Sequence, residues 1–159
     1  MADFENYKKV RDFCTVRNGL TTGDNDRFLR LWFEIDEMQE GKKWFPCNKG
    51  GAFRRWYGNK DYLINWQDDG YELKHFYDLK TKKLRSTLRN IDFNFRSSIV
   101  VGHVASGDLP YRLVDKGAIS ESAVNSIYTL DDRINLKYML GVFNSKPCNY
   151  ISRMLSPTL

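Results

Sequence analysis

A chain of 159 residues fits one domain, 1–159, and its 42% hydrophobic content, with 14% aromatic residues, is enough for a buried core. The net charge is +5, but the excess lies in the middle of the chain, because residues 42–96 carry net +7 and residues 1–41 carry net −3. Focused positive charge without a basic amphipathic helix favours an anionic partner, nucleic acid before a membrane.

Cysteine usage and hydropathy indicate the cell compartment. Cys14, Cys47 and Cys148 are far apart and have no histidine nearby, which excludes a zinc finger built from this chain alone and argues against a disulfide framework. No apolar run approaches the ~20 residues that span a bilayer, and the N-terminus has no apolar signal segment. We therefore expect a cytoplasmic protein that is neither secreted nor inserted in a membrane.

Strands and loops are predicted for most of the chain. Residues 15–28 are rich in Thr, Gly, Asn and Asp, which predicts a loop. The β-branched and aromatic content of residues 30–35, 62–66 and 98–104 predicts strands. Residues 67–70, Gln-Asp-Asp-Gly, predict a hairpin-type turn.

Three further segments follow the same logic. A short helix is expected at 71–76, and the basic, polar residues 80–86 are expected to form an exposed loop. Ile91, Phe93 and Phe95 alternate with polar residues, which predicts one buried face.

The apolar period changes near the end of the chain. Asp131 and Asp132 are placed to favour a helix N-terminus, and the apolar residues from 134 to 143 recur at helical spacing. Ser145 then predicts the start of a second helix, which stops at Ser156-Pro157. The prediction is an α+β fold: a mixed, mainly antiparallel β-sheet domain with loops and a C-terminal helical hairpin.

Residues 42–60, here called the aromatic-basic stretch, are the most unusual part of the sequence. They contain six basic residues, no acidic residue and the aromatics Trp44, Phe45, Trp56 and Tyr57. Basic side chains neutralise phosphates, aromatic faces stack on bases, and a glycine pair lets backbone approach a phosphate. The alternative is a solvated basic turn between two strands, with the aromatics in the core; for the tryptophans that core role is favoured.

Catalytic motifs were sought and mostly excluded. GxGxxG, a P-loop, GxSxG and HExxH are all absent. His103, in an apolar strand, fits a hydrogen-bonded structural residue better than a base. Cys47, beside Lys43 and Lys49, could have a lowered pKa, but no base accompanies it. The sequence does not predict a complete enzyme.

Two segments carry a resemblance to a known family. The run GLTTGDNDRFLR at 19–30, followed by KWFPCNKGGAFRRWYGN at 43–59, resembles the target-recognition (specificity) region of the PglX family, the adenine-specific DNA methyltransferases of BREX phage-defence systems. The similarity continues through Ile64-Asn65-Trp66, through Leu84-Arg85-Ser86 and into the helical end of the chain. More broadly, the chain is similar to specificity domains of Type IIG restriction-modification methyltransferases.

The resemblance implies a non-catalytic part of a larger enzyme. The family's glycine-containing S-adenosylmethionine motif and its Asn-Pro-Pro-Tyr motif, which holds the flipped adenine, do not occur here. We therefore expect no cofactor, because S-adenosylmethionine would bind the absent catalytic domain. The family often differs at 98–104 and 118–121, where base-reading residues would vary.

The expected partner is double-stranded DNA, and a methyltransferase catalytic domain or other defence proteins are further candidates. Basic residues would contact phosphate or guanine, asparagines would read adenine edges, and the glycines would bring backbone N–H groups close to the strand. The candidate DNA-binding residues are Thr22, Asn25, Arg27, Arg30, Asn48, Lys49, Gly50, Gly51, Arg54, Arg55, Asn59, Lys60, Asn65 and Arg85. The alternative function is a protein-interaction module or truncated remnant that docks onto a larger methyltransferase or phage-defence assembly.

Overall fold

The structure is a computed structural model that describes residues 6–36, 40–103, 107–131 and 133–155. Within these residues the chain forms two four-stranded sheets, mostly antiparallel, and ends in a pair of helices. The α+β class and the C-terminal helical hairpin predicted from the sequence are therefore confirmed.

The first sheet has the strand order β1-β8-β5-β6 and is antiparallel throughout. Its strands are β1 (Cys14–Asn18), β5 (Ser98–Gly102), β6 (Arg112–Val114) and β8 (Val124–Thr129). The strand predicted at 98–104 is thus confirmed as β5 as far as residue 102; Val104 lies outside the described residues.

The second sheet has the order β2-β4-β3-β7. Its strands are β2 (Leu29–Leu31), β3 (Trp44–Asn48), β4 (Tyr62–Asn65) and β7 (Ile119–Ser120). The pair β3–β7 is parallel and the others are antiparallel. Because β7 lies in the second sheet and the following β8 lies in the first, the chain crosses between the sheets at 121–123, and the Ser126 and Ser120 hydroxyls bond across the crossing at 2.8 Å.

Two helices cover the outer face of the first sheet: α3 (Leu136–Phe143) and α4 (Lys146–Leu155). Leu140 and Phe143 enter a core with Ile99 and Ile127. Ile99 and Val101 of β5 are two positions apart and therefore face the same side of the sheet. Burial of their apolar side chains against the helices stabilises this contact.

Two asparagine side chains bond the helical pair to the backbone just before β6. The side chain of Asn144 accepts from the N–H of Tyr111 at 3.2 Å and donates to its carbonyl at 2.9 Å, as a neighbouring strand would. Asn149 accepts from the N–H of Leu109 at 2.7 Å. Both amides are buried, so these bonds satisfy backbone groups that water cannot reach.

The second core lies between the second sheet and two short helices, α1 (Asn25–Phe28) and α2 (Gln67–Lys74). It contains Phe28, Ile64, Trp66, Leu73 and Phe76, and the rings of Phe28 and Phe76 meet edge to face at 5.0 Å. The loop predicted at 15–28 is correct only for residues 19–24, because β1 extends through residue 18 and residues 25–28 form α1.

The hairpin turn predicted at 67–70 is wrong. The chain leaves β4 into α2, and Asp68, Asp69 and Gly70 all have positive φ, forming a left-handed turn before the right-handed helix. The N–H of Gly70 bonds to the carbonyl of Trp66 at 3.2 Å, and Asp69 accepts from the indole of Trp66 at 3.3 Å. These local bonds favour the tight turn over a returning strand.

Other segments also differ from the sequence-based prediction. The strand expected at 30–35 is short, because residues 32–34 form a 3₁₀ turn after β2. Residues 91–93 are likewise a 3₁₀ turn, so Ile91 is exposed and the alternating pattern does not mark a strand. The loop at 80–86 is exposed except for Ser86, which is buried and donates to the carbonyl of Leu73 at 2.5 Å.

The first helix of the pair begins later than predicted. Asn135, rather than Asp131, caps α3, accepting from the N–H groups of Lys137 and Tyr138. The carboxylate of Asp131 instead pairs with Arg133. Ser145 caps α4 as predicted, accepting from the N–H of Cys148 at 3.3 Å. Asp132 and the expected stop at 156–157 lie outside the described residues.

Candidate nucleic-acid interface

The aromatic-basic stretch divides into a buried half and an exposed half. Its first part is β3, in which Trp44 is buried, and its second part, residues 49–61, is a loop at the surface. Trp44 and Trp66 are core residues, as favoured from the sequence, but Trp56 is 50% exposed. Phe53 and Tyr57 are exposed beside it. The loop therefore presents aromatic faces that a core role would not expose.

Backbone hydrogen bonds hold Trp56 in an unusual conformation. Its φ is +77°, which non-glycine residues rarely adopt. Its N–H donates to the carbonyl of Tyr111 at 2.9 Å, and its carbonyl accepts from the N–H of Leu113 at 3.0 Å. These two bonds fix the loop along β6 and offset the strain, so the exposed indole has a defined position.

An open groove of about 480 Å³ lies at the end of the second sheet. Asn25, Arg30 and Lys49 line it, although they are far apart in the sequence. The ammonium of Lys49 lies 5.0 Å from the ring centroid of Tyr62, which also lines the groove. Two carboxylates, those of Asp26 and Glu34, share the rim. The groove thus combines two cations and an exposed amide with an aromatic surface.

Arg30 is held in place by backbone rather than by an acid. Its Nη1 donates to the carbonyls of Asp26 and Leu29 at 2.5 and 2.6 Å, and its guanidinium lies 5.5 Å from the ring of Trp44. Since neither contact neutralises it, the positive charge stays available to an anion in the groove.

Arg27 and Arg85 flank the ring of Phe76 at 4.9 and 4.7 Å. Glu72 neutralises Arg27, whose Nε and Nη2 approach one carboxylate oxygen at 2.8 and 2.6 Å. The side chain of Arg85 donates to the carbonyl of Gly23 at 3.3 Å, and its charge helps to lower the pKa of Asp78. Of this pair, Arg85 is the one that forms no ion pair within 4 Å among the described residues.

Besides Lys49, the surface loop carries three cations that are placed differently. Arg55 is paired with Asp108 at 3.0 Å, and Lys60 with Asp115 at 2.9 Å. Arg54 is exposed and forms no ion pair within the described residues, and its side chain packs over Gly58. Of these three cations, Arg54 is therefore the one that is free to bind phosphate.

Four of the predicted DNA-binding residues are buried in the fold. Thr22 is buried and bonds to Asn25 at 2.6 Å. Asn59 is buried and donates to the carbonyl of Ala52, and Asn65 is buried and donates to Glu72 at 2.9 Å. Asn48 is 5% exposed, and no described residue forms a hydrogen bond with its amide Nδ2. Because all four are buried, a base edge on the protein surface does not reach them.

Gly50 and Gly51 allow close packing of the surface loop against neighbouring residues. A Cβ on Gly50 would lie 3.2 Å from the Cβ of Ala123, and one on Gly51 would lie 3.1 Å from the amide of Asn59. Both distances are tight, so side chains at these positions would push the loop away from its neighbours.

The two side chains tested for reactivity have structural surroundings. Cys47 is buried, and burial raises the pKa of its thiol to about 12, helped by Glu121, so the lowered pKa considered from the sequence is wrong. His103 lies between two amides, 3.0 Å from Asn18 and 3.1 Å from Asn125. Among the described residues, neither side chain forms a hydrogen bond with a base or acid of the kind that nucleophilic catalysis uses.

The described residues hold neither a metal-ligand cluster nor a membrane-spanning helix. In the described ranges, no three His, Cys, Asp or Glu side chains are grouped to hold a metal ion. Nor is any helix in that part of the chain long and apolar enough to cross a bilayer.

Sequence reasoning missed the exposed aromatics after β2. Trp32 and Phe33 are both exposed and meet edge to face at 5.7 Å. A strand would have turned one of them inward, whereas the 3₁₀ turn points both outward. Two adjacent aromatics directly after a short strand are the signal that could have found them.

The chain is related to a part of adenine-specific methyltransferases. It is 33% identical over 170 aligned residues to the adenine-specific methyltransferase PglX of Lacticaseibacillus casei (strain Zhang), which covers 100% of this chain and 14% of the relative. It is 33% identical over 146 residues to the adenine-specific methyltransferase BrxX of Escherichia coli O9:H4 (strain HS), covering 87% of this chain and 12% of the relative. The chain thus spans about one-seventh of the length of these relatives, and no protein-family model matches it.

Proposed function

We propose that this chain is a sequence-specific DNA-binding, target-recognition part of a PglX-like N6-adenine DNA methyltransferase and is non-catalytic on its own. One observation carries the proposal: a groove at the end of the second sheet brings together Arg30 and Lys49, which have no acidic partner in the described residues, and Asn25. Similarity to two adenine-specific methyltransferases supports it.

Charge and shape divide the roles. Arg30, Lys49, Arg54 and Arg85 contact phosphates, because none of these cations forms an ion pair in the part of the chain that the structure describes. Asn25, on the groove wall, presents an amide that can bond an adenine edge in bidentate fashion. The exposed indole of Trp56 braces the sugar-phosphate backbone or stacks on a base.

The proposed partners are double-stranded DNA and a catalytic methyltransferase part outside this chain. S-adenosylmethionine would bind that part, and this chain would hold no cofactor. In a BREX-type phage-defence system, such a module would direct adenine methylation to a chosen sequence in the cytoplasm.

A second function is favoured by the apolar surface of α4. Tyr150, Ile151, Met154 and Leu155 are all exposed on this one helix. Exposed apolar patches of this kind are typical of protein-protein contacts. The helix would dock the chain onto a larger methyltransferase or defence assembly, and DNA would then be a partner of the assembly rather than of this chain.

Binding of labelled duplex DNA across a salt series tests the proposal. Counterion release predicts that affinity falls steeply between 50 and 200 mM salt, about 10³-fold if some six phosphates are contacted. The double variant Lys49→Gln, Arg54→Gln should reduce the salt slope by about 2, and the matched double variant Lys137→Gln, Lys146→Gln, on the helical pair that covers the first sheet, should not. Absence of binding at 50 mM salt in a folded sample would reject the proposal and favour docking.

A further inference from the structure

A second cavity lies between the sheets, away from the groove. Its volume is about 110 Å³, and its walls are mainly apolar, formed by Pro46, Cys47, Val114 and Ala118. A cavity of about 150 Å³ holds benzene, and one water takes up about 30 Å³. The space is smaller than that reference cavity but open on one side, so it admits at most one six-membered ring, part of which stays at the mouth, and is too small for a fused two-ring system.

One polar group in this cavity has no partner. Asn48 lines it, is 5% exposed, and its amide Nδ2 makes no hydrogen bond to any described residue. A buried donor left unpaired costs about 1–3 kcal/mol, so such groups are rare in native structures unless a ligand or water satisfies them. With no acceptor among the described residues, this donor can bond a water or a ligand oxygen, and the carbonyl oxygen of a ring is suited to that place.

The mouth of the cavity is charged. Lys60 and Lys116 both line it, with Asp115 between them. Because Asp115 already pairs with Lys60 at 2.9 Å, the exposed ammonium of Lys116 is the cation left for an anionic group. A ligand that fills this site has one ring with a carbonyl acceptor and carries a negative charge at its outer end.

We propose that this cavity binds a pyrimidine nucleotide, with the base carbonyl accepting from Asn48 Nδ2 and the phosphate on Lys116. A pyrimidine is a single six-membered ring, every natural pyrimidine has a carbonyl oxygen, and its phosphate lies outside the ring. The cavity excludes a purine by size. The nucleotide is either free or an unstacked residue of a DNA strand; the second source rests on the proposed DNA-binding function.

Nuclear magnetic resonance of the full chain tests the site directly. Titration with thymidine monophosphate should shift the side-chain amide resonance of Asn48, with a dissociation constant in the millimolar range or below. Adenosine monophosphate should bind at least tenfold more weakly. Equal shifts with inorganic phosphate, equal binding of both nucleotides, or no shift at 10 mM thymidine monophosphate would each overturn the proposal.

Variants separate the base from the phosphate contact. Asn48→Leu replaces the unpaired donor with an apolar group of similar volume, so it should fold and lose binding at least tenfold. Lys116→Ala should weaken the nucleotide but not the free nucleoside thymidine, and Lys80→Ala should change neither. If Asn48→Leu does not fold, Ala118→Leu, which fills the cavity from its partly exposed rim, should abolish binding in its place. Unchanged binding by these variants would reject the site.

The two sources give different results with DNA. A duplex containing a fluorescent pyrimidine analogue should brighten on binding if a base leaves the stack for the cavity, and the brightening should be lost in Asn48→Leu. Duplex binding without brightening assigns the site to free nucleotide. Failure of all duplex binding would reject the proposed DNA function and leave the thymidine monophosphate titration as the independent test of the cavity.

Discussion

Arg27 and Glu72 form an ion pair in which Nη2 and Nε of the guanidinium approach the same carboxylate oxygen at 2.6 and 2.8 Å. The pair joins α1 to α2, and the amide of Asn65 donates to the other oxygen of Glu72 at 2.9 Å. Arg27 is thus committed to the fold even though its side chain is 51% exposed. Glu72 neutralises the charge of Arg27, so a phosphate would have to compete with Glu72 for the guanidinium.

Replacement of Arg27 should therefore affect folding more than DNA binding. Because both charges are about half exposed, Arg27→Gln is expected to lower the unfolding free energy by only about 1 kcal/mol. Urea denaturation measures that loss, and a salt series of DNA affinity measures the phosphate contact. Arg54→Gln is the matched control, with unchanged stability and a salt slope lower by about 1. A similar slope change in Arg27→Gln would show that Arg27 leaves Glu72 to bind phosphate.

Asn144 should be among the most sensitive polar residues. Asn144→Ala removes two bonds to Tyr111 and leaves its buried N–H without a partner, while its carbonyl keeps the bond from Trp56, so we expect a loss of about 2 kcal/mol. Urea denaturation compares it with Asn135→Ala, which removes the cap of α3 and should lose about 1 kcal/mol. Equal losses would mean that water replaces the amide beside Tyr111.

The same asparagine shows where sequence-based prediction ends. The end of the helix at 144–145 was predicted from local chemistry, since capping depends on neighbouring residues. The bonds from Asn144 to Tyr111 join residues 33 positions apart, and no local pattern encodes them. The left-handed turn at 68–70 was missed for a related reason: Asp-Asp-Gly suits several turns, and contact with Trp66 decides among them.

The candidate site was predictable in composition more than in geometry. The excess of basic and aromatic residues identified the region, and Arg30 and Lys49 do meet at one groove with Asn25. The sequence could not show which amides are buried, because Asn48, Asn59 and Asn65 become inaccessible only when the second sheet forms and α2 and the surface loop close over it. Their burial narrows the proposed contacts with stacked duplex DNA to the residues of the surface and leaves Asn48 to an unstacked base that enters the cavity.

Two glycines should respond in opposite ways to alanine. Gly141 is exposed inside α3 with no atom within 4 Å of an added Cβ, so Gly141→Ala should stabilise the chain by about 0.5–1 kcal/mol. A Cβ on Gly19 would lie 2.1 Å from the carbonyl oxygen of Ser120, so Gly19→Ala should destabilise it by more than about 2 kcal/mol. Thermal unfolding of both variants is the measurement. A stable Gly19→Ala protein would show that the backbone near Ser120 can move.

Arg112 offers an unusual route to higher stability. Its side chain is 2% exposed, its Nε and Nη2 have no partner among the described residues, and burial lowers its pKa. An unpaired buried charge is costly, so Arg112→Met should raise the unfolding free energy by about 1–3 kcal/mol in urea denaturation. Arg55→Met, which breaks the pair with Asp108, is the contrast and should not stabilise. A large loss in Arg112→Met would reveal an anion held by its guanidinium.

The burial of Cys47 should make the unfolding free energy fall at alkaline pH. Its folded pKa is raised from 9.0 to about 12, so the folded state binds the thiol proton more tightly than the unfolded state. This contribution to stability is complete below about pH 9 and is lost as the pH rises towards 12. Between those values the wild type should lose about 1.4 kcal/mol per pH unit more than Cys47→Ala, as measured by urea denaturation at several pH values. At pH 8, maleimide should label the partly exposed Cys148 well before Cys47. If the unfolding free energies of the wild type and Cys47→Ala fall equally with pH, and Cys47 is labelled early, the surroundings of Cys47 open to water.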